Sequence, residues 1–245
     1  MKVSLLAFGP HPDDIEIGMA ATIAGLTARG VAVGLCDLTR GERGSNGTPE
    51  ERLTEGEAAR AVVGAEWRVN LGLPDGSLSL ALPHVTAIVD LIRRARPAIV
   101  AIPHGRDRHP DHLDARVLLT RAIFDAGLRR FPAGGEPWRP QRVFSYFIND
   151  SEVPSVAVDV SDVYERKRAA LACYRSQFEA GAPGGVETRL TSPLFLQLVE
   201  SRDAQVGARA GVRWAEGFMT AAPLPFGDLF AAAGLPLPAR ERDAS

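Results

Sequence analysis

Residues 3–38 have the sequence VSLLAFGPHPDDIEIGMAATIAGLTARGVAVGLCDL, which predicts the first βαβ unit of the chain. The apolar run Val3–Phe8 ends at a Gly-Pro pair, which is typical of a strand. Apolar residues then recur at nearly helical spacing, which predicts an amphipathic helix over 13–29. The run Val31–Leu38 predicts a second strand. A strand, a helix and a strand joined by short links form a βαβ unit, so the two strands are expected to be parallel.

The rest of the chain continues this alternation of strands and helices. Further strands are predicted at Trp67–Leu71, Ala98–Ile102, Arg142–Ile148, Ser155–Asp159 and Gly211–Met219. Further helices are predicted over 49–63, 83–96, 109–127, 161–174 and 191–208. The pattern indicates an α/β, Rossmann-like fold: a mostly parallel sheet with helices on both faces and a site at the C-terminal ends of the strands. We expect one domain over 1–225 and a partly disordered tail over 226–245.

Composition excludes several classes of protein. Hydrophobic residues make up 45% of the 245 residues, too many for a disordered chain. The 28 basic and 30 acidic residues nearly balance, so neither nucleic acid nor a membrane surface is an expected partner. The sequence has no membrane-length apolar run and no apparent signal peptide, which predicts a cytoplasmic protein. Cys36 and Cys173 lack metal-type spacing and are interpreted as small buried side chains.

Two short motifs that resemble each other contain the candidate catalytic and metal-binding residues. His-Pro-Asp-Asp occupies 11–14 after the first strand, and His-Pro-Asp-His occupies 109–112 after the strand ending at Ile102. Imidazole and carboxylate groups suit zinc, and a catalytic zinc keeps a position for water, whose pKa it lowers to about 7. In the first motif His11 and Asp14 are candidate ligands and Asp13 stays free as a base, while either histidine of the second could supply a third ligand. Aspartates that cap helices beside surface histidines are the alternative interpretation.

The sequence resembles the LmbE-like, PIG-L-type zinc-dependent N-deacetylases of N-acetylglucosamine derivatives over about residues 3–218. The resemblance is carried by LAFGPHPDDIEIGMAATIA, DLTRGERGSNGTPEERLTEGEAA, NLGLPDG and GRDRHPDHLDA. Within the family the chain looks most similar to the bacillithiol-pathway branch. The segments YRSQF at 174–178 and GVRWAEGFM at 211–219 are similar to that branch as well.

The resemblance implies a role for each matching residue of the two motifs. One Zn²⁺ per chain would be bound by His11, Asp14 and His112, although iron or cobalt could take its place. Asp13 would act as the general base. His109 would be protonated and would stabilise the oxyanion, and Asp111 would orient it and hold its proton.

The resemblance also implies substrate contacts. Arg52 would contact the substrate, Asp75 could accept a hydrogen bond from a sugar hydroxyl, and Arg108 would bind an anionic group. Arg213 is a further candidate for an anion. Some relatives use a C-terminal tyrosine to help stabilise the oxyanion, whereas the comparable stretch here offers Phe195 and no tyrosine.

The expected activity is hydrolysis of the N-acetyl group of an N-acetylglucosamine conjugate, most favourably N-acetylglucosaminyl L-malate in bacillithiol biosynthesis. Alternatives are a deacetylase of N-acetylglucosamine or chito-oligosaccharides, or an amidase of another N-acyl conjugate. A non-catalytic sugar- or nucleotide-binding module is disfavoured because FGPHPDD lacks the glycine pattern G-x-G-x-x-G. The expected partner is a small N-acetylated amino-sugar substrate, and a homo-oligomer is possible.

Overall fold

The computed structural model describes residues 1–179, 181, 185–232 and 234. Its strands are β1 Leu5–Gly9, β2 Val33–Asp37, β3 Trp67–Asn70, β4 Ile99–Pro103, β5 Arg142–Tyr146, β6 Val156–Asp159 and β7 Ala215–Met219. Its helices are α1 Asp14–Thr27, α2 Pro49–Val63, α3 Leu82–Ala95, α4 Pro110–Ala126, α5 Tyr164–Leu171, α6 Arg175–Phe178, α7 Pro193–Ala210 and α8 Leu229–Ala232.

All seven strands form one sheet in the order β3-β2-β1-β4-β5-β7-β6. The first five strands in this order are parallel, whereas β7 is antiparallel to both β5 and β6. The predicted Rossmann-like, mostly parallel sheet is therefore confirmed. In the sheet, β2 and β3 lie on one side of β1, whereas β4 and β5 lie on the other side. The crevice beyond the carboxyl ends of β1 and β4 is thus a topological switch point, where such sheets bind ligands.

Helices cover both faces of the sheet, as predicted. Leu5 and Ala7 of β1 point into a core that includes residues of α1, α2, α5 and α7. The alternate residues of the same strand, Leu6 and Phe8, point into a second core formed with α3 and α4. All four side chains are buried, so β1 is a fully covered central strand, and this explains its unbroken apolar sequence.

The C-terminal third departs most from the predicted elements. The helix expected over 161–174 begins only at Tyr164 and is followed by the separate helix α6. Ser161 does not cap it, because the Ser161 hydroxyl donates to Asp159 and accepts from the Trp214 N–H. Helix α8 lies within the stretch expected to be a tail, most of which falls outside the described residues. In the part of the chain that the structure describes, no helix has the length and apolar character needed to cross a membrane.

Candidate metal centre and active site

The two histidine motifs meet at the switch point of the sheet. The first follows β1 and leads into α1, and the second follows β4 and opens α4, with Pro110 in its first turn. One donor atom each from His11, Asp14 and His112 lies within 4.8 Å of the others, and all three residues are buried. Asp14 Oδ2 lies 3.0 Å from His11 Nδ1, and Asp14 Oδ1 lies 3.4 Å from His112 Nε2. Two imidazoles and a carboxylate in this arrangement could hold a divalent metal ion.

The second nitrogen of each histidine faces a carboxylate. His11 Nε2 lies 3.2 Å from Asp75 and 3.4 Å from Asp111, and His112 Nδ1 lies 3.0 Å from Asp107. Metal-binding histidines commonly present their far nitrogen to a carboxylate, which fixes the orientation of the ring. The donor set therefore fits a metal ion. Ligand atoms of His11, Asp75 and Asp111 also lie within 4.8 Å of one another, and in this interpretation the two carboxylates orient His11 from the side opposite Asp14.

The charges around these two rings strongly favour a bound cation. Burial disfavours the protonated form of His112, but Asp14 and Asp107 outweigh it and raise the pKa of His112 to about 9. The pKa of His11 is likewise raised, because the facing carboxylates, Asp111 first among them, overcome burial. A divalent ion would displace these protons, since histidine binds metals in its neutral form.

Asp13 lies beside this set in a strained backbone conformation. Its φ of 116° is in the left-handed region that non-glycine residues rarely adopt. Its carboxylate is buried and lies 3.1 Å from Arg52 Nη2, which also donates to the Pro12 carbonyl at 2.5 Å. Burial raises the pKa of Asp13 to about 7, against the opposing charge of Arg52. A carboxylate with a pKa near neutrality is suited to take up and return a proton.

His109 is placed differently from the expectation. Its ring stacks on His112 with centroids 4.7 Å apart, and its Nδ1 accepts from the Asp111 backbone N–H at 3.2 Å. The Asp111 carboxylate instead contacts His11 and accepts from the Gly76 N–H at 2.7 Å. Burial, followed by the charges of the other two histidines, lowers the pKa of His109. The expected carboxylate contact that would hold a proton on His109 is therefore absent from the described hydrogen bonds, and Nδ1 is engaged as an acceptor instead.

A cavity of about 400 Å³ opens over the candidate metal centre. Eight of the nine expected site residues line it: His11, Asp13, Asp14, Arg52, Asp75, Arg108, His109 and His112. Asp111 lies behind His11, and Arg213 is exposed and does not line the cavity. Phe195 does line it, whereas the three tyrosines of the chain, Tyr146, Tyr164 and Tyr174, are buried elsewhere. The oxyanion-assisting tyrosine of some relatives thus has no counterpart in this cavity.

The structure adds residues to the candidate site that the sequence interpretation did not name. Asp107 supports His112 and is itself held by Asn149, whose backbone N–H and side-chain amide donate to it at 3.0 and 2.9 Å. Asn46 lines the cavity and ties its loop to Val186. Arg43 also lines the cavity and donates its backbone N–H to Asp75 at 2.8 Å. The sequence offered two signals for them: a carboxylate five residues before His112, and the polar, glycine-rich loop 39–48 after β2, which contains Arg43 and Asn46.

The fold and the site together define a Rossmann-like protein with a buried His/Asp centre of the kind that supports metal-assisted hydrolysis. The model for a family described as "PIG-L: GlcNAc-PI de-N-acetylase" matches residues 6–123. The diacetylchitobiose deacetylase of Thermococcus kodakarensis is 33% identical over 189 residues, which cover 71% of this chain and 70% of that protein. The chain therefore belongs to the PIG-L (LmbE-like) family and is by class a hydrolytic deacetylase.

Two further relatives extend the match along the chain. The 1D-myo-inositol 2-acetamido-2-deoxy-alpha-D-glucopyranoside deacetylase of Rhodococcus opacus is 28% identical and covers 87% of this chain and 94% of its own length. The crystal structure of the conserved protein TT1542 from Thermus thermophilus has a TM-score of 0.84 and is 38% identical. That match covers 91% of this chain and 97% of the other, so the similarity extends well beyond the two metal-binding motifs.

Proposed function

We propose that this protein is a zinc-dependent N-deacetylase that removes the acetyl group from an N-acetylglucosamine conjugate. The observation that carries the proposal is the placement of Asp13 beside the His11, Asp14 and His112 donor set on the wall of one cavity. The cavity volume of about 400 Å³ falls within the range of small-molecule sites. Family membership and the names of the relatives support the same chemistry.

His11, Asp14 and His112 would hold the zinc ion. When bound, zinc supplies Lewis-acid polarisation of a carbonyl and lowers the pKa of a water molecule. Asp13 would take the proton from the attacking water and return it to the leaving amine, because its pKa of about 7 suits both steps. Arg52 keeps the Asp13 carboxylate in place.

His109 would stabilise the developing oxyanion through Nε2. Its Nδ1 is engaged as an acceptor, so the proton of the neutral ring lies on Nε2. A neutral imidazole can donate this hydrogen bond, and removal of one such donor typically slows acyl transfer about 10²–10³-fold. This proposal replaces the expected protonated His109 with a neutral one, and it gives Asp111 a supporting role at His11.

Among N-acetylglucosamine conjugates we favour one with an anionic aglycone, N-acetylglucosaminyl L-malate of bacillithiol biosynthesis. Arg43 and Arg108 line the cavity with exposed side chains, and guanidinium groups bind carboxylates well. Arg52 is a weaker candidate for this anion because its guanidinium already contacts Asp13 and two backbone carbonyls. Asp75 would accept a hydrogen bond from a sugar hydroxyl.

A second candidate substrate is a neutral N-acetylglucosamine conjugate, such as diacetylchitobiose or an inositol glycoside. The names of the relatives in Thermococcus kodakarensis and Rhodococcus opacus favour it. The cavity wall formed by Ile17, Ile148, Leu190 and Phe195 would then face the aglycone. A cytoplasmic location and a homo-oligomeric state stay predictions.

The test is release of free amine from a panel of substrates by the zinc-loaded protein. The panel contains N-acetylglucosaminyl L-malate, diacetylchitobiose, the inositol glycoside and free N-acetylglucosamine. We expect the highest kcat/KM for the malate conjugate, and we expect Arg108→Gln to raise KM for that substrate alone. Turnover of only the neutral conjugates would overturn the malate assignment and keep the deacetylase. If no substrate is deacetylated and the protein binds no zinc, the proposed function is wrong.

A further inference from the structure

Helix α1, which carries Asp14 in its first turn, is broken in the middle. Met19 has the non-helical angles φ −153° and ψ 20°. The preceding residue, Gly18, packs so closely against Tyr146 that an added Cβ would lie 2.1 Å from its ring. A helix break leaves backbone carbonyls on one side and N–H groups on the other without their usual partners, and when buried these need replacements.

Arg202 of α7 supplies the donors on the first side of the break. Its Nη2 donates to the Ile17 carbonyl at 2.7 Å. Its Nη1 donates to the carbonyls of Phe147 and Ile148 at 3.0 and 2.9 Å. The side chain is only 9% exposed, and its Nε pairs with Asp203 at 3.0 Å. One guanidinium therefore joins three backbone carbonyls from two separate segments.

Glu216 of β7 supplies the acceptors on the other side of the break. Its carboxylate accepts from the N–H groups of Ala21 and Thr22 at 3.2 and 2.7 Å. Lys167 of α5 lies 2.8 Å from Glu216 and 2.7 Å from Asp203. Lys167, Asp203 and Glu216 are buried. A network of ion pairs therefore runs from Arg202 through Asp203 and Lys167 to Glu216 and stabilises both sides of the helix break.

The two segments that Arg202 joins lead to different metal-binding residues. Ile17 lies three residues after Asp14 in the same short stretch of helix. Ile148 directly precedes Asn149, which holds Asp107 against His112. Arg202 itself does not line the cavity and contacts neither ligand. Its position is suited to fixing the distance between the Asp14 and His112 halves of the centre.

We propose that Arg202 is a positioning residue for the metal centre, acting through the backbone carbonyls of Ile17 and Ile148. The inference rests on the proposed metal-dependent function. The planar guanidinium of Arg202 donates to these carbonyls simultaneously, whereas the single ammonium group of a lysine cannot reach all of them in the same geometry. Arg202→Lys keeps the buried charge beside Asp203 and loses the planar guanidinium, so it separates positioning from charge.

The experiment measures metal affinity and geometry in the purified protein. Zn²⁺ affinity is obtained by competition with a chromophoric chelator, and the coordination geometry is read from the d–d absorption bands of the Co²⁺-substituted protein. We expect Arg202→Lys to weaken zinc binding by about tenfold, the lower end of the effect of losing a direct partner of a metal ligand, because Arg202 acts one step further out, and to alter the Co²⁺ bands. Glu216→Gln, at the other side of the break, should weaken binding in the same direction.

Two controls separate positioning from general destabilisation. Leu118→Ala removes buried volume from the opposite core of the sheet, and Arg168→Lys changes a part-exposed ion pair between α5 and α7. Both should keep the zinc affinity and Co²⁺ bands of the unmodified protein. The inference is overturned if Arg202→Lys and Glu216→Gln bind zinc as tightly as the unmodified protein, or if Leu118→Ala loses equal affinity at equal loss of stability. Failure of the unmodified protein to bind any metal would instead overturn the proposed function.

Discussion

Asp107 Oδ1 lies 3.0 Å from Nδ1 of His112, and the other nitrogen of the same ring lies 3.4 Å from Asp14. Burial opposes ionisation of Asp107, but its contacts to His112 prevail and lower the pKa of Asp107 to about 2. The carboxylate is therefore ionised at neutral pH. It is placed to fix the ring so that Nε2 faces the metal centre.

The first prediction concerns this pair. Asp107→Asn should weaken zinc binding by about 10–100-fold, because the neutral amide no longer supports the ring as a carboxylate does. Chelator competition at neutral pH measures the effect. Asp114→Asn is the matched control, since Asp114 is exposed on α4 only two residues after His112. Equal zinc affinity in the two variants would show that Asp107 does not support the metal ligand.

The second prediction concerns Asp13. Asp13→Asn should retain zinc and lose about 10²–10⁴-fold in kcat, the usual contribution of a general acid–base group. Burial raises the pKa of Asp13 to about 7 without a metal, and a nearby cation lowers a carboxyl pKa. The base must be ionised, so the activity of the unmodified protein should rise with pH along a limb at or below pH 7.

The pH profile and the metal content are measured together for this second prediction. The variant should contain one zinc per chain and show no ascending limb in its residual activity. An Asp13→Asn protein that keeps zinc and also keeps near-normal turnover would remove Asp13 from the role of base.

Local sequence signals predicted the fold and most of the residues that line the cavity, because the residues with the relevant chemistry lie in short segments of sequence. Alternation of apolar runs and helical periodicity identified the parallel strands. Because the carboxyl ends of parallel strands lie at one edge of a sheet, both histidine motifs were expected at that edge. The motif at 11–14 and its echo at 109–112 therefore had to be neighbours if β1 and β4 were adjacent. The structure confirms that adjacency.

The sequence could not predict interactions that exist only across the fold. The apolar residues of α1 continue through Met19, and Gly18 is the one local feature beside the break. The side chains that stabilise the break, Arg202 and Glu216, lie nearly 200 positions away. The resemblance to the family implied that Asp111 orients His109, which lies two residues before it. In the folded chain its carboxylate turns towards His11 instead, and only a backbone contact to His109 is made.

The third prediction concerns Asn46, which closes one wall of the cavity. Its side-chain amide donates to the Val186 carbonyl at 2.9 Å and accepts from the Val186 N–H at 2.7 Å. This pair holds the segment that brings Thr188 and Leu190 to the cavity. Asn46→Ala should raise KM roughly tenfold with little change in kcat, since it loses two hydrogen bonds worth about 1–3 kcal/mol together.

Steady-state kinetics with the preferred substrate provides the measurement for Asn46. Gln141→Ala is the control, because Gln141 is exposed, directly precedes β5 and does not line the cavity. A fall in kcat at constant KM for Asn46→Ala would contradict a role in substrate binding.

The last prediction compares two neighbouring cations of α5. Lys167 is fully buried between Asp203 and Glu216, whereas Arg168 pairs with Glu200 at 2.7 Å in a part-exposed position. Lys167→Met should lower the free energy of unfolding by about 3–5 kcal/mol, because it leaves buried carboxylates without their partner. Arg168→Met should cost only about 0–1 kcal/mol, because solvent screens a surface ion pair.

The loss of unfolding free energy caused by Lys167→Met should depend on pH. Burial opposes ionisation of Asp203, but Lys167 and Arg202 outweigh it and lower its pKa. A lowered pKa in the folded state gives stability that is present above the unfolded value of about 4 and is lost as the pH falls through the folded value. Lys167→Met removes one of these two cations and so removes part of this stabilisation. The loss of unfolding free energy in the variant should therefore be larger at pH 7 than at pH 4. Urea unfolding at both pH values tests this, and an equal loss at each would show that lost packing, rather than lost charge pairing, destabilises the variant.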